Sequence, residues 1–545
     1  MKSQTSMQLK GIQCDALGQP AYSSERMSLW GSVDAIDSAM GRKWAPTWED
    51  VERHIVSCFE TDEQLDGLAG LDGQYFTIFR RQNEYCAFCD RFAISVIYYH
   101  VNEYIIRFSR QILSEKPAGL RIPQTKLIQF ALMRYVPGRE TLFDGILRLM
   151  PGECLTIDSE TRNISSKAFC IAPQMHYNVL QTFDNGAHFH ELFRDALAKR
   201  ISMHRNDEVL LVPLSGGLDS RYILGTALEI VEPHRLLAVT FGKKGSYDYE
   251  YGAQLAVAAG VKHRAYPLTH ADFDNNALRA ACLDSDGQIN FHLEAPVSVY
   301  HDWLQFGRLV LSGYCGDLIM GKDFFKKKIA NREDIVKSDA MSIAGLHGLG
   351  YLSGDAIASG YYYEPADSRS ALDRANYWFY VNHLPKYTSY CVFKLRNEFQ
   401  CINPFMDYAF LDFVLNLSPE QREHRKLYME WLVRHFPKLA AVPTSTFVGA
   451  ALTSSKLTKY IALQRNRFEV YLCRRLNRNI NKIDFLRYMP QLLDIATLEQ
   501  CFKNTIPHSL WTHICTGRMS TYQALYGLKC VQIQQDVFGV NVDQA

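Results

Sequence analysis

The sequence predicts a two-domain protein of the α/β and α+β classes, with an N-terminal antiparallel β-sandwich before a doubly wound parallel sheet with added helices. Its 545 residues are too many for one ordinary core. Short β-like runs separated by turn signals fill residues 1–165, whereas strand and helix signals alternate over residues 185–440. Residues 441–545 carry a helical pattern and are predicted to form a C-terminal extension.

The predicted sandwich depends on apolar and aromatic runs in the first part of the chain. We expect strands at Leu71–Phe79, Glu84–Phe88, Ala93–Tyr99 and Tyr104–Ser109. Two stacked antiparallel sheets bury such a pattern, because alternate side chains of each strand face a shared core.

A glycine-rich loop interrupts the apolar run of residues 211–224, which read LVPLSGGLDSRYIL. The candidate binding residues begin with Leu214, directly before the loop, and helix-like periodicity resumes beyond the loop. Gly216 and Gly217 let the backbone approach an anion without a Cβ in the way, and the following helix offers N–H groups and its positive dipole end. These features predict a phosphate-binding loop.

The polar residues of this loop extend the prediction to a metal ion. Ser215 and Ser220 supply hydroxyl donors for the same oxyanion. Asp219 is repelled by a phosphate unless a divalent cation lies between them. The loop therefore predicts a nucleotide together with Mg²⁺. The alternative is an ordinary strand-to-helix turn capped by Asp or Ser.

Two segments carry a resemblance to known families. Ser215–Ser220, SGGLDS, resembles the pyrophosphate loop of the N-type ATP pyrophosphatases, which cleave ATP to AMP and pyrophosphate. Ser312–Gly321, SGYCGDLIMG, resembles the second signature of asparagine synthetases. The resemblance implies that Gly313 contacts the nucleotide and that Asp317 shares Mg²⁺ with Asp219. Such a pair suits adenylation, because charge builds on the leaving pyrophosphate. A lone Asp at a strand end is otherwise a helix cap.

The same resemblance implies further site residues in the central region. It places Phe241 near the adenine, and Asp248 where the nucleotide site closes; the alternative for Asp248 is a helix N-cap. The segment RKLYMEWLVRHFP is similar to the helix whose lysine neutralises the acyl-adenylate and pyrophosphate, which makes Lys426 that candidate. The alternative for Lys426 is a solvated helix lysine.

Tyr314 departs from the asparagine synthetase pattern, because it replaces the Glu that handles the proton when ammonia attacks. A Tyr at this position resembles the β-lactam synthetase branch, where it helps to deprotonate an amine nucleophile. A phenol needs a neighbouring acid to act as a base near pH 7, and Glu294 and Glu364 are candidates. The alternative is that Tyr314 packs over the nucleotide.

The N-terminal segments resemble the glutaminase-like half of asparagine synthetases. The matched runs are DGQYFTIF, CDRFAISVIYYH, YIIRFS and RYVPGRETLFDGILRLMPGECLTID. Ala93 stands where the family has a hairpin glycine. The matched residues are Asp90, Arg91, Tyr98, Tyr99, Tyr135, Pro137, Thr141, Phe143, Ile146, Leu149, Pro151 and Gly152.

The glutaminase nucleophile of that family is a Cys directly after the initiator Met, and Lys2 stands at that position here. A lysine is protonated at neutral pH and does not replace a thiolate. Cys14 is internal and would need a cleavage before it to gain a free amine. We therefore expect a glutaminase-like domain that is inactive.

The amino-acid composition limits the kinds of binding partner that the sequence suggests. Lys and Arg number 59 and Asp and Glu 58, so net charge gives no indication of nucleic acid or an anionic membrane. Neither a signal sequence nor a membrane-spanning run is apparent, and we expect a cytoplasmic protein. The basic pattern of residues 456–478 allows contact with an acidic partner or leader peptide, although a solvated face is the commoner outcome. The oligomeric state stays open.

Together the motifs predict an AMP-forming carbon-nitrogen ligase that adenylates a small-molecule or peptide carboxylate and transfers it to an amine or ammonia. Relatives without the N-terminal Cys amidate sugar acids or close peptide macrolactams, as lasso peptide cyclases do with a precursor peptide and a protease partner. The alternatives are an asparagine synthetase using another ammonia source, a tRNA-modifying ATP pyrophosphatase and a non-catalytic homologue.

Overall fold

The computed structural model describes most of the chain between residues 12 and 543. The ranges it leaves out are 15–16, 18, 39–40, 61–64, 103–104, 113–119, 171–184, 270–271, 273, 285–294, 322–330, 344–351, 353, 362–370, 390–397, 476–493 and 516–521. Lys2, Glu294 and Glu364 therefore lie outside the described residues. No helix in the described part of the chain is both long and apolar enough to cross a membrane.

The first part of the chain forms two packed sheets. Their strands are β1 Ile12–Gln13, β2 Tyr22–Ser23, β3 Met27–Ser38, β4 Gly41–Trp44, β5 Leu71–Arg81, β6 Glu84–Cys89, β7 Tyr98–Val101, β8 Ile106–Ser109, β10 Ile146–Arg148, β11 Glu153–Asp158 and β12 Ile164–Ala168. The larger, antiparallel sheet has the order β12-β11-β6-β5-β3-β2, with β4 also paired to β3. The smaller sheet has the order β1-β8-β7-β10, in which β1 runs parallel to β8. Strand β9 (Arg121–Ile122) belongs to neither of these sheets.

Alternation along β5 explains the two cores of this part. Phe76 and Ile78 point into the core between the sheets, where they join Phe108 of β8. Tyr75 and Phe79 face the opposite side, which helix α1 (Trp48–Cys58) covers. Successive side chains of a strand point to opposite faces, so one strand supplies both cores.

The predicted strands at Leu71–Phe79 and Glu84–Phe88 are confirmed as β5 and β6. The prediction for Ala93–Tyr99 is wrong over residues 93–97, and strand β7 begins at Tyr98. The Asp90 carboxylate accepts the N–H groups of Ile94 and Ser95, which bends the chain into a turn. Ala93 adopts a left-handed φ of 48° in this turn, at the position where the family has glycine.

The central part contains a five-stranded parallel sheet with the order β15-β14-β13-β16-β17. Its strands are β13 Leu210–Pro213, β14 Leu236–Gly242, β15 Lys262–Pro267, β16 Leu309–Leu311 and β17 Gln400–Ile402. The chain moves outward from β13 to β15 and then returns to β16 on the other side. The strand order therefore reverses between β13 and β16, where sheets of this kind bind their ligands.

Helices surround this sheet and continue to the C-terminus. After α1, the α-helices are α2 Gln124–Met133, α3 Asn185–Ser202, α4 Asp219–Ala227, α5 Tyr247–Ala259, α6 Asn275–Asp284, α7 Val297–Trp303, α8 Gly316–Ile319, α9 Arg332–Ile343, α10 Gly354–Gly360, α11 Ala371–Trp378, α12 Tyr408–Leu415, α13 Pro419–Arg422, α14 Lys426–His435, α15 Pro437–Ala440, α16 Lys456–Arg475, α17 Ile495–Phe502, α18 His508–Cys515 and α19 Tyr522–Phe538. Short 3-10 helices cover Leu65–Gly70, Pro233–Arg235, Pro404–Met406, Glu423–Arg425 and Ser445–Phe447, and a π-helix covers Phe379–Thr388.

The C-terminal extension returns to the first part of the chain. Helix α19 packs on α2, and the last strand, β18 (Asn541–Val542), pairs in parallel with β9. Antiparallel and parallel sheets in one chain confirm the mixed α/β class. The domain boundaries that we placed at residues 165, 185 and 440 stay predictions.

Buried charges join the antiparallel and parallel parts. Arg200 of α3 donates to the carboxylates of Asp34, Asp72 and Asp407 at 3.0, 3.0 and 2.7 Å. Arg42 of β4 also contacts both Asp72 and Asp407. Two guanidinium groups thus hold acids of β3, β5 and the start of α12 together.

A second link uses the matched Asp-Arg pair of the N-terminal segments. Arg91 donates through both terminal nitrogens to Asp412 of α12, at 3.1 and 2.7 Å, and its backbone N–H donates to the Tyr408 hydroxyl at 2.9 Å. A bidentate arginine–carboxylate pair fixes orientation as well as distance.

Candidate active site

The glycine-rich loop follows β13 at the carboxyl edge of the parallel sheet. Leu214 is buried, and its N–H donates to Val239 of the neighbouring strand at 2.8 Å. The Ser215 N–H donates to the Ser220 hydroxyl at 3.2 Å, and the Gly217 N–H donates to the Ser215 hydroxyl at the same distance. The loop therefore folds back on its own hydroxyls.

Gly216 lies where the loop approaches α5. A Cβ at this position would meet the Tyr247 carbonyl oxygen at 3.0 Å and the Asp248 carboxylate at 3.1 Å. The Gly216 N–H donates to Asp248 Oδ1 at 3.0 Å. Its carbonyl accepts the Thr444 hydroxyl at 2.8 Å and the Ser445 N–H at 3.0 Å. Asp248 is not the N-cap of α5, since Ser246 holds that position; its carboxylate instead fixes the loop.

Asp219 and Asp317 meet at the beginnings of α4 and α8. The Asp317 N–H donates to Asp219 Oδ2 at 2.9 Å, and the buried Tyr428 hydroxyl donates to Oδ1 at 3.1 Å. Gly316 permits this approach, because a Cβ there would lie 2.6 Å from the Asp219 carboxyl carbon. The structure therefore brings together the two acids that the sequence proposed as metal ligands.

The electrostatics of this pair are unusual for aspartate. Burial and the neighbouring Asp317 carboxylate raise the pKa of Asp219 to about 7, although the charge of Arg425 and the bonds from Tyr428 and Asp317 oppose that shift. A like charge nearby and removal from water both disfavour the ionised form. A divalent cation relieves both costs, and carboxylate oxygens are ligands that suit Mg²⁺. The residues present therefore fit that ion.

Gly313 and Tyr314 lie between β16 and α8. A Cβ at Gly313 would meet the Ser220 nitrogen at 3.1 Å, so the segment packs directly on the glycine-rich loop. Tyr314 is half-buried, and its hydroxyl lies 3.5 Å from the Leu384 carbonyl of the π-helix. Its own carbonyl accepts from Asn403 at 3.1 Å. Asn403 thereby connects Tyr314 to the segment that leads into α12.

Lys426 and Phe241 have no contact with the two acids among those that the described residues show. Lys426 is exposed at the first position of α14, and no hydrogen bond or ion pair among the described residues connects it to Asp219 or Asp317. Arg425, one position earlier, is the residue whose charge acts on Asp219. Phe241 is half-buried on β14, with its ring centroid 6.4 Å from that of Trp303. Both assignments from the sequence stay predictions.

Sequence reasoning missed four residues that shape this site: Tyr428, Arg425, Thr444 and Arg221. The buried Arg221 of the motif SGGLDSR donates to the carbonyls of Leu439, Val442 and Pro443 at 2.7, 2.7 and 2.8 Å. It thereby holds the segment that presents Thr444 to Gly216. An arginine two positions after Asp219, on the apolar side of a helix, was the one signal in the sequence.

Similarity to known proteins concentrates on this region. Residues 188–436, less than half of the chain, match the family model for asparagine synthase. The chain is 24% identical over 189 residues to asparagine synthetase [glutamine-hydrolyzing] 1 of Bacillus subtilis (strain 168), a match that covers 34% of this chain and 29% of that protein. It is 20% identical over 305 residues to a probable asparagine synthetase [glutamine-hydrolyzing] of Acanthamoeba polyphaga mimivirus, covering 54% and 48%.

The chain thus matches about half or less of the length of these curated relatives. Among solved structures, NMN synthetase from Francisella tularensis aligns with 44% of this chain and with 96% of its own chain. The two sequences are 15% identical, and the TM-score is 0.20. The family match and the two relatives support the asparagine synthetase superfamily that the motifs indicate. They do not separate its branches.

Proposed function

We propose that this protein is an ATP-dependent ligase that activates a carboxylate as an acyl-adenylate, releases pyrophosphate, and passes the acyl group to a nitrogen nucleophile to give an amide and AMP. The observation that carries the proposal is the contact between Asp219 and Asp317 beside the glycine-rich loop. A nucleoside triphosphate with Mg²⁺ is a ligand that needs both features, because the loop binds its phosphates and the paired carboxylates bind the metal ion.

Each residue around the glycine-rich loop has a proposed role in this reaction. Ser215, Gly217 and Ser220 supply hydroxyl and N–H donors for the pyrophosphate, and Asp248 holds the loop in place. Asp219 and Asp317 would hold Mg²⁺, which screens phosphate charge from both carboxylates when it is bound. The charge of Arg425 acts on Asp219 and lowers its pKa. Arg425 is therefore a second candidate, beside Lys426, for stabilising charge on the departing pyrophosphate.

The proposal is tested by ATP–pyrophosphate exchange with the purified full chain and a panel of carboxylic acids. We expect exchange that depends on one class of acid and on Mg²⁺, with AMP as the nucleotide product of the complete reaction. Formation of ADP and phosphate instead would contradict adenylation. Absence of exchange with every acid, in protein that binds ATP, would favour a non-catalytic homologue.

Tyr314 is proposed to handle the proton of the attacking amine. Adenylation precedes that attack, so a proton-handling residue is dispensable for the first half-reaction and needed for the second. We expect Tyr314→Phe to retain exchange while amide formation falls by roughly one hundred- to ten thousandfold. Normal amide formation would reduce Tyr314 to a packing residue, and loss of exchange would assign it to nucleotide binding.

Helix α16 favours a peptide over a small sugar acid as the carboxylate substrate. Five large apolar side chains on one side of it are between 53% and 67% exposed: Leu457, Tyr460, Ile461, Phe468 and Tyr471. Lys456, Arg465 and Arg467 flank this stripe and are exposed as well. An apolar stripe with basic borders complements an amphipathic peptide that carries acidic residues.

The position of α16 ties this surface to the site. Burial raises the pKa of Tyr247, and the charge of Glu469 on α16 adds to the shift while Arg465 opposes it. Tyr247 in turn lies beside Gly216. We therefore infer a peptide that docks on α16 with its reactive carboxylate at the glycine-rich loop. Phe468→Ser should raise KM for peptide carboxylates at least about tenfold and leave KM for ATP unchanged; equal effects on sugar acids would contradict this choice.

A further inference from the structure

Three side chains from separate helical segments converge on the side of the parallel sheet that α3 covers. They are His190 of α3, Glu229 just after α4, and His435 at the end of α14. His190 Nε2 lies 2.9 Å from Glu229 Oε2, and His435 Nε2 lies 2.7 Å from Glu229 Oε1. One potential ligand atom from each residue lies within 4.8 Å of the other two.

Neighbouring groups fix both imidazole rings. His190 is 7% exposed, and its Nδ1 lies 2.8 Å from the hydroxyl of the buried Tyr222. With Nδ1 engaged by that hydroxyl, Nε2 is directed at Glu229. The His435 ring stacks on Trp431, with centroids 5.2 Å apart and planes 15° apart. Histidine ligands of metal ions are held in this way, by a hydrogen bond from the second ring nitrogen.

The donor set has a clear chemical preference. Two imidazoles and one carboxylate suit Zn²⁺, whereas Mg²⁺ and Ca²⁺ prefer oxygen ligands alone. The side chains of Glu229 and His435 are 28% and 36% exposed, which leaves a path for entry and a position for water. The nearby cation Arg194 lies 3.9 Å from Glu229 Oε2 and is itself about half exposed, so it can turn toward solvent.

We propose that His190, Glu229 and His435 form a zinc site, independent of the catalytic proposal. The site joins the C-terminal ends of α4 and α14 to α3. Asp219 begins α4, and Tyr428, which bonds to Asp219, lies in the first turn of α14. A zinc ion held there would fix the far ends of the two helices that present this hydrogen-bonded pair.

The test is zinc binding by the full chain after chelator treatment, measured by equilibrium dialysis with elemental analysis and by the change in Tm on adding Zn²⁺. We expect wild-type protein to bind one more equivalent than His435→Asn, and a rise in Tm that the variant lacks. Glu229→Gln should weaken binding by at least about a hundredfold, and Tyr222→Phe by about tenfold. Co²⁺ in place of Zn²⁺ should give a spectrum without thiolate bands.

The matched control is His188→Ala. His188 lies two positions before His190 on the same helix, is half-exposed, and contacts Glu191 instead of Glu229. This variant should bind zinc as the wild type does. Equal stoichiometry and affinity in wild type, His435→Asn and Glu229→Gln would overturn the proposal, as would thiolate bands with Co²⁺. His435 is partly exposed, so its variant should fold, and the Tm of metal-free protein checks that it does.

Discussion

Two pairs of aspartates illustrate the difference between the junction of the sheets and the nucleotide loop. Asp72 and Asp407 receive guanidinium N–H groups from Arg200 and Arg42. Asp219 receives a phenol from Tyr428 and a backbone N–H from Asp317. The first pair thus accepts hydrogen bonds from charged guanidinium groups, whereas the two hydrogen bonds to Asp219 come from neutral donors.

The pKa values of the two pairs follow this difference. Burial opposes ionisation of Asp72, yet Arg200 and Arg42 hold its pKa below the ordinary value. Burial and Asp72 raise the pKa of Asp407 to about 6, so repulsion within the pair falls on that member. For Asp219, burial and Asp317 raise the pKa to about 7. The negative charge of Asp219 and Asp317 is only partly balanced by the fold, and a bound cation can balance the remainder.

Removing the guanidinium that binds Asp72 and Asp407 should have the largest destabilising effect. Arg200→Met leaves Asp34, Asp72 and Asp407 short of a guanidinium at a buried site, and we expect the free energy of unfolding to fall by about 3–5 kcal/mol. Urea unfolding measures this. Lys199→Met, at the adjacent exposed position, should change stability by less than about 0.5 kcal/mol. Equal stabilities of the two variants would show that the buried network contributes little.

Substitution of Asp219 or Asp317 should instead affect catalysis. We expect Asp219→Asn and Asp317→Asn each to lower ATP–pyrophosphate exchange by at least about a hundredfold, because each removes a negative ligand for Mg²⁺. Asp34→Asn, at the junction, should keep exchange per folded molecule within a few fold. Wild-type exchange in both Asp219→Asn and Asp317→Asn would remove the adenylation mechanism.

The raised pKa of Asp219 also predicts that this carboxyl group, which is proposed to serve function, lowers the free energy of unfolding at high pH. The folded pKa of about 7 lies above the unfolded value near 3.9, so folding takes up a proton between them and stability from this group declines as pH rises through that window. Without Mg²⁺, Asp219→Asn should be more stable than wild type at pH 8 by about 4 kcal/mol, because the rise in pKa between the unfolded and the folded state corresponds to that free energy. The difference should narrow toward pH 4. Asp195→Asn, on an exposed turn of α3, should show no such trend.

The smallest effect should come from the support of the glycine-rich loop. Thr444→Val removes the hydroxyl that donates to Gly216 and should cost about 1 kcal/mol of stability, with a few-fold rise in KM for ATP. Thr453→Val, at an exposed position nearby, is the control. A loss of exchange as large as that of Asp219→Asn would mean that Thr444 contacts the nucleotide itself.

Much of this site could be predicted because local sequence carries it. The run from Leu211 through Asp219 encodes a buried strand, a loop with glycines, and a helix start, which are properties of consecutive residues. Asp317 was proposed on different grounds, because the resemblance of Ser312–Gly321 to the second asparagine synthetase signature implies its role. The convergence of the two acids then follows from parallel pairing of β13 and β16, which puts both carboxyl ends at one edge.

Tertiary structure alone decided the partners that come from distant segments. Tyr428 reaches Asp219 from 209 positions along the chain, and Thr444 reaches Gly216 from 228. Lys426 and Arg425 are adjacent basic residues in the sequence, and the structure shows that the charge of Arg425 acts on Asp219. Local sequence thus determined the loop and Asp219, because strand and helix patterns are short-range. The charge balance around them depends on which helices pack together, and adjacent residues do not encode that.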